Sequence, residues 1–308
     1  MRIALVGLGD IAQKAYLPLL ASDERVTPLL CTRNSAVLDK LARQYRIAER
    51  FTELGDLLAS RPDAVMIHAA TAVHLELAAQ CLRAGIPTFV DKPLCDTFAG
   101  VEELANLALA QNRPLFVGFN RRYLPAMSAA RALPLADNQP LTELNWQKHR
   151  HALPGAPRSF LFDDFIHVLD SLCYYGGTPD GDLHAVLRRC TRQPELLAGV
   201  SVAWQSGQVA VSGSMNRSAG ITEERIDAYG DNLSLHIENC TRGTMARDKT
   251  VQTLAPDDWQ SVLASRGFVA MLAHWYRQIE AGRADGALIE SYLHSHRLAE
   301  RLVALAGE

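Results

Sequence analysis

The sequence predicts an α/β domain with a doubly wound parallel sheet over residues 1–120, followed by an α+β domain over 121–308 built on a mainly antiparallel sheet. Two observations predict it. In the first stretch, short apolar runs alternate with segments of helical period; after about Asn120, strand-like runs follow one another in quick succession. The 308 residues suit two domains, and a hydrophobic fraction of 48% against 21% charged residues supplies material for two cores.

Taken in order, Arg2–Val6 is an apolar strand that runs into a glycine turn, and Ile11–Ala21 reads as the helix beyond it. Val26–Thr32, Ala64–His68, Thr88–Val90 and Leu115–Phe119 are the later strands of the first domain, apolar throughout as in a sheet covered on both faces. Ser35–Gln44, Ala72–Ala84 and Phe98–Gln111 are the intervening helices; Gly85 ends one and Pro114 follows another. In the second domain Leu141–His151, Leu183–Cys190, Leu196–Gln205, Gln208–Met215, Ile221–Gly230 and Leu233–Glu238 read as strands. A long apolar helix over Leu161–Tyr175 lies among them, a Pro-rich loop over Leu153–Arg158 precedes it, and helices around Gly267–Ala281 and Ala287–Ala306 close the chain.

The formal net charge of −3 and the lack of a basic run argue against nucleic acid or a membrane surface as the main partner. No apolar stretch reaches the length of a membrane span, and Gly7, Gly9 and Asp10 interrupt the first apolar run before it could serve as a secretory core. Six cysteines are scattered without zinc-like spacing and read as buried reduced thiols, which points to the cytoplasm. The ten histidines are dispersed, with His149 and His151 only a weak pair, so no metal is expected.

Gly7-Leu8-Gly9-Asp10-Ile11-Ala12 is a G-x-G-x-x-A turn between a strand and a helix. Gly7 allows the tight turn, Gly9 leaves the backbone open to a pyrophosphate, and Ala12 lets helix and sheet approach. The helix N-terminus adds unpaired N–H groups and partial positive charge. The turn therefore points to a bound dinucleotide. At the end of the second strand, Cys31-Thr32-Arg33-Asn34 holds no carboxylate for the adenosine ribose; Arg33, with Thr32, suits a 2′-phosphate, which favours NADP(H) over NAD(H).

Further along, His68-Ala69-Ala70-Thr71-Ala72-Val73-His74 offers small residues at a strand end, with Thr71 as a candidate helix cap and His68 a candidate structural histidine. Val90-Asp91-Lys92-Pro93 sets a lysine at another strand end, where an ammonium can stabilise charge developing on a substrate oxygen. In Phe160–Asp170, Asp163 and His167 stand at i and i+4 with Asp170 three further on, a polar stripe on an apolar helix suited to proton transfer or to a satisfied core. Lys148 and Arg150 either reach an anionic group on the substrate or sit on a solvated strand face.

Together, Gly7–Ala12, Ala70-Thr71-x-x-His74, Asp91-Lys92-Pro93, Gly118-Phe119-Asn120-Arg121-Arg122-Tyr123 and Asp163-x-x-x-His167 resemble, in order and approximate spacing, the Gfo/Idh/MocA family of nicotinamide-dependent oxidoreductases. Gly7–Pro18 and Leu161–His167 look most like its MviM-like branch. The resemblance implies a Rossmann domain, a second domain with an open, mainly antiparallel sheet, and an active site between them. It places catalytic roles on Lys92, Asp163 and His167, with a hydride passing between nicotinamide and a secondary alcohol or ketone, commonly of a sugar or cyclitol. His167 would take the hydroxyl proton, Asp163 would orient it and Lys92 would polarise the oxygen, although Lys92 and His167 exchange the proton-donor role across such enzymes. Gly7, Leu8, Gly9, Asp10, Ile11, Thr32, Arg33, Ala70, Thr71, His74, Asp91, Lys92 and Asn120 would line the cofactor.

The chain departs from the family pattern twice. Asp91 stands where the family usually has Glu, and bulky Ser159-Phe160-Leu161-Phe162 replaces a glycine-rich lead-in. The competing readings are a catalytically silent dinucleotide-binding regulator or scaffold, and a Rossmann enzyme for nucleotide sugars or methyl transfer. A homodimer or homotetramer through the second sheet is expected, with Trp204, Val209 and Val211 as candidates for its face or for the core.

Overall fold

The computed structural model describes residues 1–132 and 141–307. They form two compact units, Met1–Gly118 with Phe268–Leu293, and Phe119–Gly267 with His294–Glu308.

The first unit holds a six-stranded sheet of β1 (Arg2–Val6), β2 (Thr27–Cys31), β3 (Arg50–Phe51), β4 (Ala64–Ile67), β5 (Thr88–Val90) and β6 (Leu115–Val117). The strand order is β3-β2-β1-β4-β5-β6 and every pairing is parallel. This is the doubly wound order, and the crevice beyond the carboxyl ends of β1 and β4 is where such sheets receive ligands. Ala64, Val65, Met66 and Ile67 are wholly buried, as a strand covered on both faces requires.

Two elements here escape a sequence reading. β3 is a two-residue edge strand, and the helix Leu54–Ala59 spans under two turns, so neither displays a period. Longer helices announce their ends: Asn34 Oδ1 accepts from the Val37 amide and Thr97 Oγ1 from the Gly100 amide. Helix Phe268–Ala281 belongs to this unit, with Trp275 packed 5.9 Å from Phe89 and 5.6 Å from Phe116, between ring centres.

The second unit holds an eight-stranded sheet of β7 (Leu141–His149), β8 (His184–Arg189), β9 (Leu197–Ser206), β10 (Val209–Asn216), β11 (Glu223–Gly230), β12 (Leu233–Glu238), β13 (Arg242–Arg247) and β14 (Thr250–Leu254). Its order is β14-β13-β12-β11-β7-β10-β9-β8, antiparallel except for the β7–β10 pair. β13 and β14 also go unread in the sequence, because β14 is largely exposed and lacks apolar alternation.

Helical structure runs from Pro157 to Gly176, with a π-helical stretch at Phe160–Phe165. It starts inside the stretch expected as a Pro-rich loop. It lies close on the sheet: a methyl group at Gly213 of β10 would come within 2.6 Å of Leu172 and 2.8 Å of Val168. Trp204 and Val211 pack against the end of this helix and are buried, so they belong to the core rather than to an open face; Val209 is half-buried. No helix among the described residues is long and apolar enough to cross a membrane.

Candidate active site

In the first unit, Gly7 has φ +85° and an added Cβ would lie 2.6 Å from the Ala69 amide nitrogen, so the turn admits no side chain. At Gly9 the nearest atom to such a Cβ is 4.0 Å away, leaving the backbone open to a ligand. Gln13 Nε2 donates to the Leu8 carbonyl at 2.7 Å and fastens the turn. Leu8 is buried and Ile11 half-buried, while Asp10 is exposed and paired with Lys14 at 2.8 Å.

A cavity of about 530 Å³ opens beside this turn, lined among others by Gly7, Thr32, Arg33, Asn34, Glu53 and Glu76. A tight glycine turn, an open approach at Gly9 and an adjoining cavity with an arginine at its rim fit a dinucleotide. Arg33 is exposed and Thr32 half-buried. Asn34 spends its side-chain oxygen as a helix cap. Glu53, from the short β3 region that the sequence hides, adds an acidic neighbour on the same wall.

At the end of β4, His68 is buried and stacks on Tyr16 with ring centres 4.1 Å apart. Burial pushes its imidazole down to about 3, and neither ring nitrogen finds a hydrogen-bond partner among the described residues, so it is a neutral core group. Ala70 is exposed and Thr71 half-buried. A 3₁₀ turn over Thr71–Val73 precedes the helix, whose cap position falls on Val73. His74 is buried and bridges two loops, Nδ1 to the Pro93 carbonyl at 2.9 Å and Nε2 to the Ala69 carbonyl at 3.0 Å.

The question raised by the short carboxylate of Asp91 has a structural answer. Its Oδ1 accepts from the Tyr16 hydroxyl at 3.0 Å, a partner supplied by the helix beyond the glycine turn. Burial pushes the Asp91 carboxyl up, against the opposing pull of Lys92 and Tyr16. Lys92 is half-buried at the end of β5 and precedes a cis peptide bond to Pro93.

In the second unit the three members of the polar stripe each have polar partners. A π-helical stretch covers Phe160–Phe165 ahead of His167. Asp163 is exposed and accepts from Ser159 Oγ at 2.9 Å. Asp170 is buried against Arg122, with contacts of 2.8 and 2.6 Å. His167 is half-buried, with its Nδ1 3.0 Å from Arg121 Nη1. Asn120, also buried, donates from Nδ2 to the Arg266 carbonyl at 2.9 Å.

Asp164, which the sequence offered only as a charge near the helix N-terminus, is the hub. It receives Lys148 at 2.5 Å, Arg150 at 2.9 Å and Arg217 at 2.8 Å. Lys148 is therefore buried in an ion pair rather than set on a solvated strand face, and half-buried Arg150 shares its partner. The surrounding cations hold the Asp164 carboxyl well below the usual carboxylate range despite burial. Burial, with the charges of Arg121 and Arg150, draws Lys148 down to about 7. Glu224, on β11, grips Arg121 through contacts of 2.6 and 2.7 Å and accepts from Trp146 Nε1 at 2.9 Å. Burial raises the Glu224 carboxyl, but Arg121 outweighs it and the group falls to about 2. Only Arg121 among these lay in a motif of recognisable spacing; Asp164, Trp146, Arg217 and Glu224 carry no local signal.

Residues 1–119 match the oxidoreductase family with an NAD-binding Rossmann fold, and residues 136–248 match the YceM-like C-terminal domain. A Gfo/Idh/MocA family oxidoreductase from Vibrio cholerae is 45% identical, with a TM-score of 0.92 over 99% of this chain and 97% of that one. The chain belongs to the Gfo/Idh/MocA family. It is thus an oxidoreductase that uses a nicotinamide dinucleotide. The dehydrogenase MviM from Clostridium difficile is 26% identical, with a TM-score of 0.89 over 99% of both chains. Over 44% of this chain and 42% of its own length, the myo-inositol dehydrogenase Hyg17 of Streptomyces leeuwenhoekii is 33% identical.

Proposed function

We propose that this Gfo/Idh/MocA oxidoreductase interconverts a secondary alcohol and a ketone on a sugar, cyclitol or related polyhydroxylated molecule, with NADP(H) preferred over NAD(H). The observation that carries the cofactor preference is the cavity beside Gly7, where Thr32 and Arg33 line the wall and the β2 end offers no carboxylate. Glu53 on the same wall opposes that preference. The substrate class is supported by the similarity to an inositol dehydrogenase.

In this reading Gly7, Leu8, Gly9, Asp10 and Ile11 form the pyrophosphate turn, and Ala70, Thr71, Asp91, Lys92 and Asn120 border the rest of the dinucleotide. His74 acts on it indirectly by tying the Ala69 and Pro93 loops together. The bound nicotinamide supplies or accepts the hydride. Lys92 and His167 attend the substrate oxygen and manage its proton, and Asp163 orients the groups around it. The open face of the second sheet serves a homodimer or homotetramer, and the six free thiols suit a cytoplasmic setting.

The test is a fluorescence titration with NADPH and NADH in parallel. We expect tighter NADPH binding, and a loss of about tenfold or more in NADPH affinity alone in Arg33→Ala, the scale of a charge-assisted hydrogen bond. Equal binding of the two would remove Arg33 as selector. Binding of neither would overturn the proposed function and leave a protein that keeps the fold without the hydride chemistry.

A further inference from the structure

We infer that Arg121 is a positioning residue that locks His167 in one tautomer, with the proton on Nε2 and a bare, accepting Nδ1. The argument begins with the contact between Arg121 Nη1 and His167 Nδ1 at 3.0 Å. A guanidinium has only N–H donors and stays protonated in proteins. The hydrogen bond therefore runs in one direction, and Nδ1 must accept. A neutral imidazole that accepts at Nδ1 carries its proton at Nε2. A doubly protonated ring would set N–H against N–H at this contact.

The surrounding residues keep Arg121 in that orientation. Glu224 takes Nε at 2.6 Å and Nη2 at 2.7 Å, which leaves the remaining edge of the planar fork for His167. Glu224 is itself buried and held by Trp146 Nε1 at 2.9 Å. The Arg121 backbone is pinned as well, because the Tyr175 hydroxyl lies within hydrogen-bond reach of the Arg121 and Arg122 carbonyls, at 3.1 and 3.0 Å. A buried aromatic donor, a buried carboxylate and a guanidinium thus form a relay that ends on one atom of the imidazole.

The consequence for chemistry rests on the function proposed above. An imidazole with its proton on Nε2 gives a hydrogen bond from that atom and cannot take a proton there. In that reading His167 serves the substrate oxygen as a hydrogen-bond donor through Nε2–H rather than as its base.

The test is a long-range ¹H–¹⁵N correlation spectrum of the full chain labelled with ¹⁵N-histidine at neutral pH, with His167→Gln assigning the signal. The expected spectrum has the Nε2–H form in about tenfold or greater excess, the ratio a hydrogen bond to a charged group supports. A dominant Nδ1–H form, or an even mixture, overturns the inference in the wild-type protein alone. The double variant Arg121→Met/Glu224→Gln removes both charges together, and we expect its His167 to shift toward a mixture. If that variant keeps a native circular dichroism spectrum and an unchanged tautomer ratio, Arg121 is not the cause and the inference fails. The readout is independent of the cofactor: an intact tautomer in a protein that binds no NADPH would sink the proposed function and leave the positioning role standing.

Discussion

Glu224 and Asp164 are carboxylates buried beside guanidinium and ammonium groups, and both gain from the fold only while ionised. For Glu224, the folded group titrates at about 2 against an ordinary 4.5, so the folded chain binds fewer protons than the unfolded one between these values. Its stabilising contribution is complete above the ordinary value and is lost as pH falls toward about 2. Urea unfolding across that range should therefore show wild type losing about 3 kcal/mol more than Glu224→Gln, whose amide does not titrate. Asp164→Ala should cost more at neutral pH, about 3–5 kcal/mol, because it strands Lys148, Arg150 and Arg217 together. An unchanged urea midpoint in that variant would mean the three cations find other partners. The residue scale also explains Asp91: Tyr16 meets its shorter carboxylate, a pairing across 75 positions that no local motif reveals.

At the scale of elements, the helix Ile166–Gly176 and strand β10 approach so closely that glycine is required at 213. Gly213→Ala should destabilise the second unit by about 1–3 kcal/mol through overpacking against Leu172 and Val168, read as a lower thermal midpoint. A neutral substitution would show that the helix can retreat. A π-helical stretch over Phe160–Phe165 precedes this helix and holds Asp163 and Asp164. A 3.6-residue period groups Asp163, His167 and Asp170, and the fold adds the partners that the period does not name: Arg122 for buried Asp170 and Arg121 for His167. Periodicity names a helix but does not report a local change in its step.

For the whole molecule, the proposed cofactor should act as a folding ligand. Saturating NADPH at about 100 times its dissociation constant should add about 2.7 kcal/mol and raise the melting temperature, with a smaller rise for NADH at the same concentration. Differential scanning fluorimetry that shows no shift with either would count against the function proposed above. Sedimentation should give a dimer or tetramer; a monomer at all concentrations would leave the open face of the second sheet without its proposed role. That face bears Asn145, Gln147, Ser212 and Ser214 near its middle, with exposed Val186 and Val251 on its outer strands, so association there would combine polar and apolar contacts.

The sequence by itself determined the doubly wound sheet, most of the second sheet, the glycine turn and the family. Those rest on local signals: apolar runs of strand length, helix caps, and motifs in which each residue meets its own neighbours. Tertiary structure decided the rest. It joined Phe268–Ala281 to the first unit's aromatic core, although the chain places that helix far from Phe89 and Phe116. It also gathered Arg121, Trp146, Lys148, Asp164, Arg217 and Glu224 around one helix of the second unit. The physical reason is that a buried charge must find its counter-charge in space, and nothing in its immediate sequence says where that partner will come from.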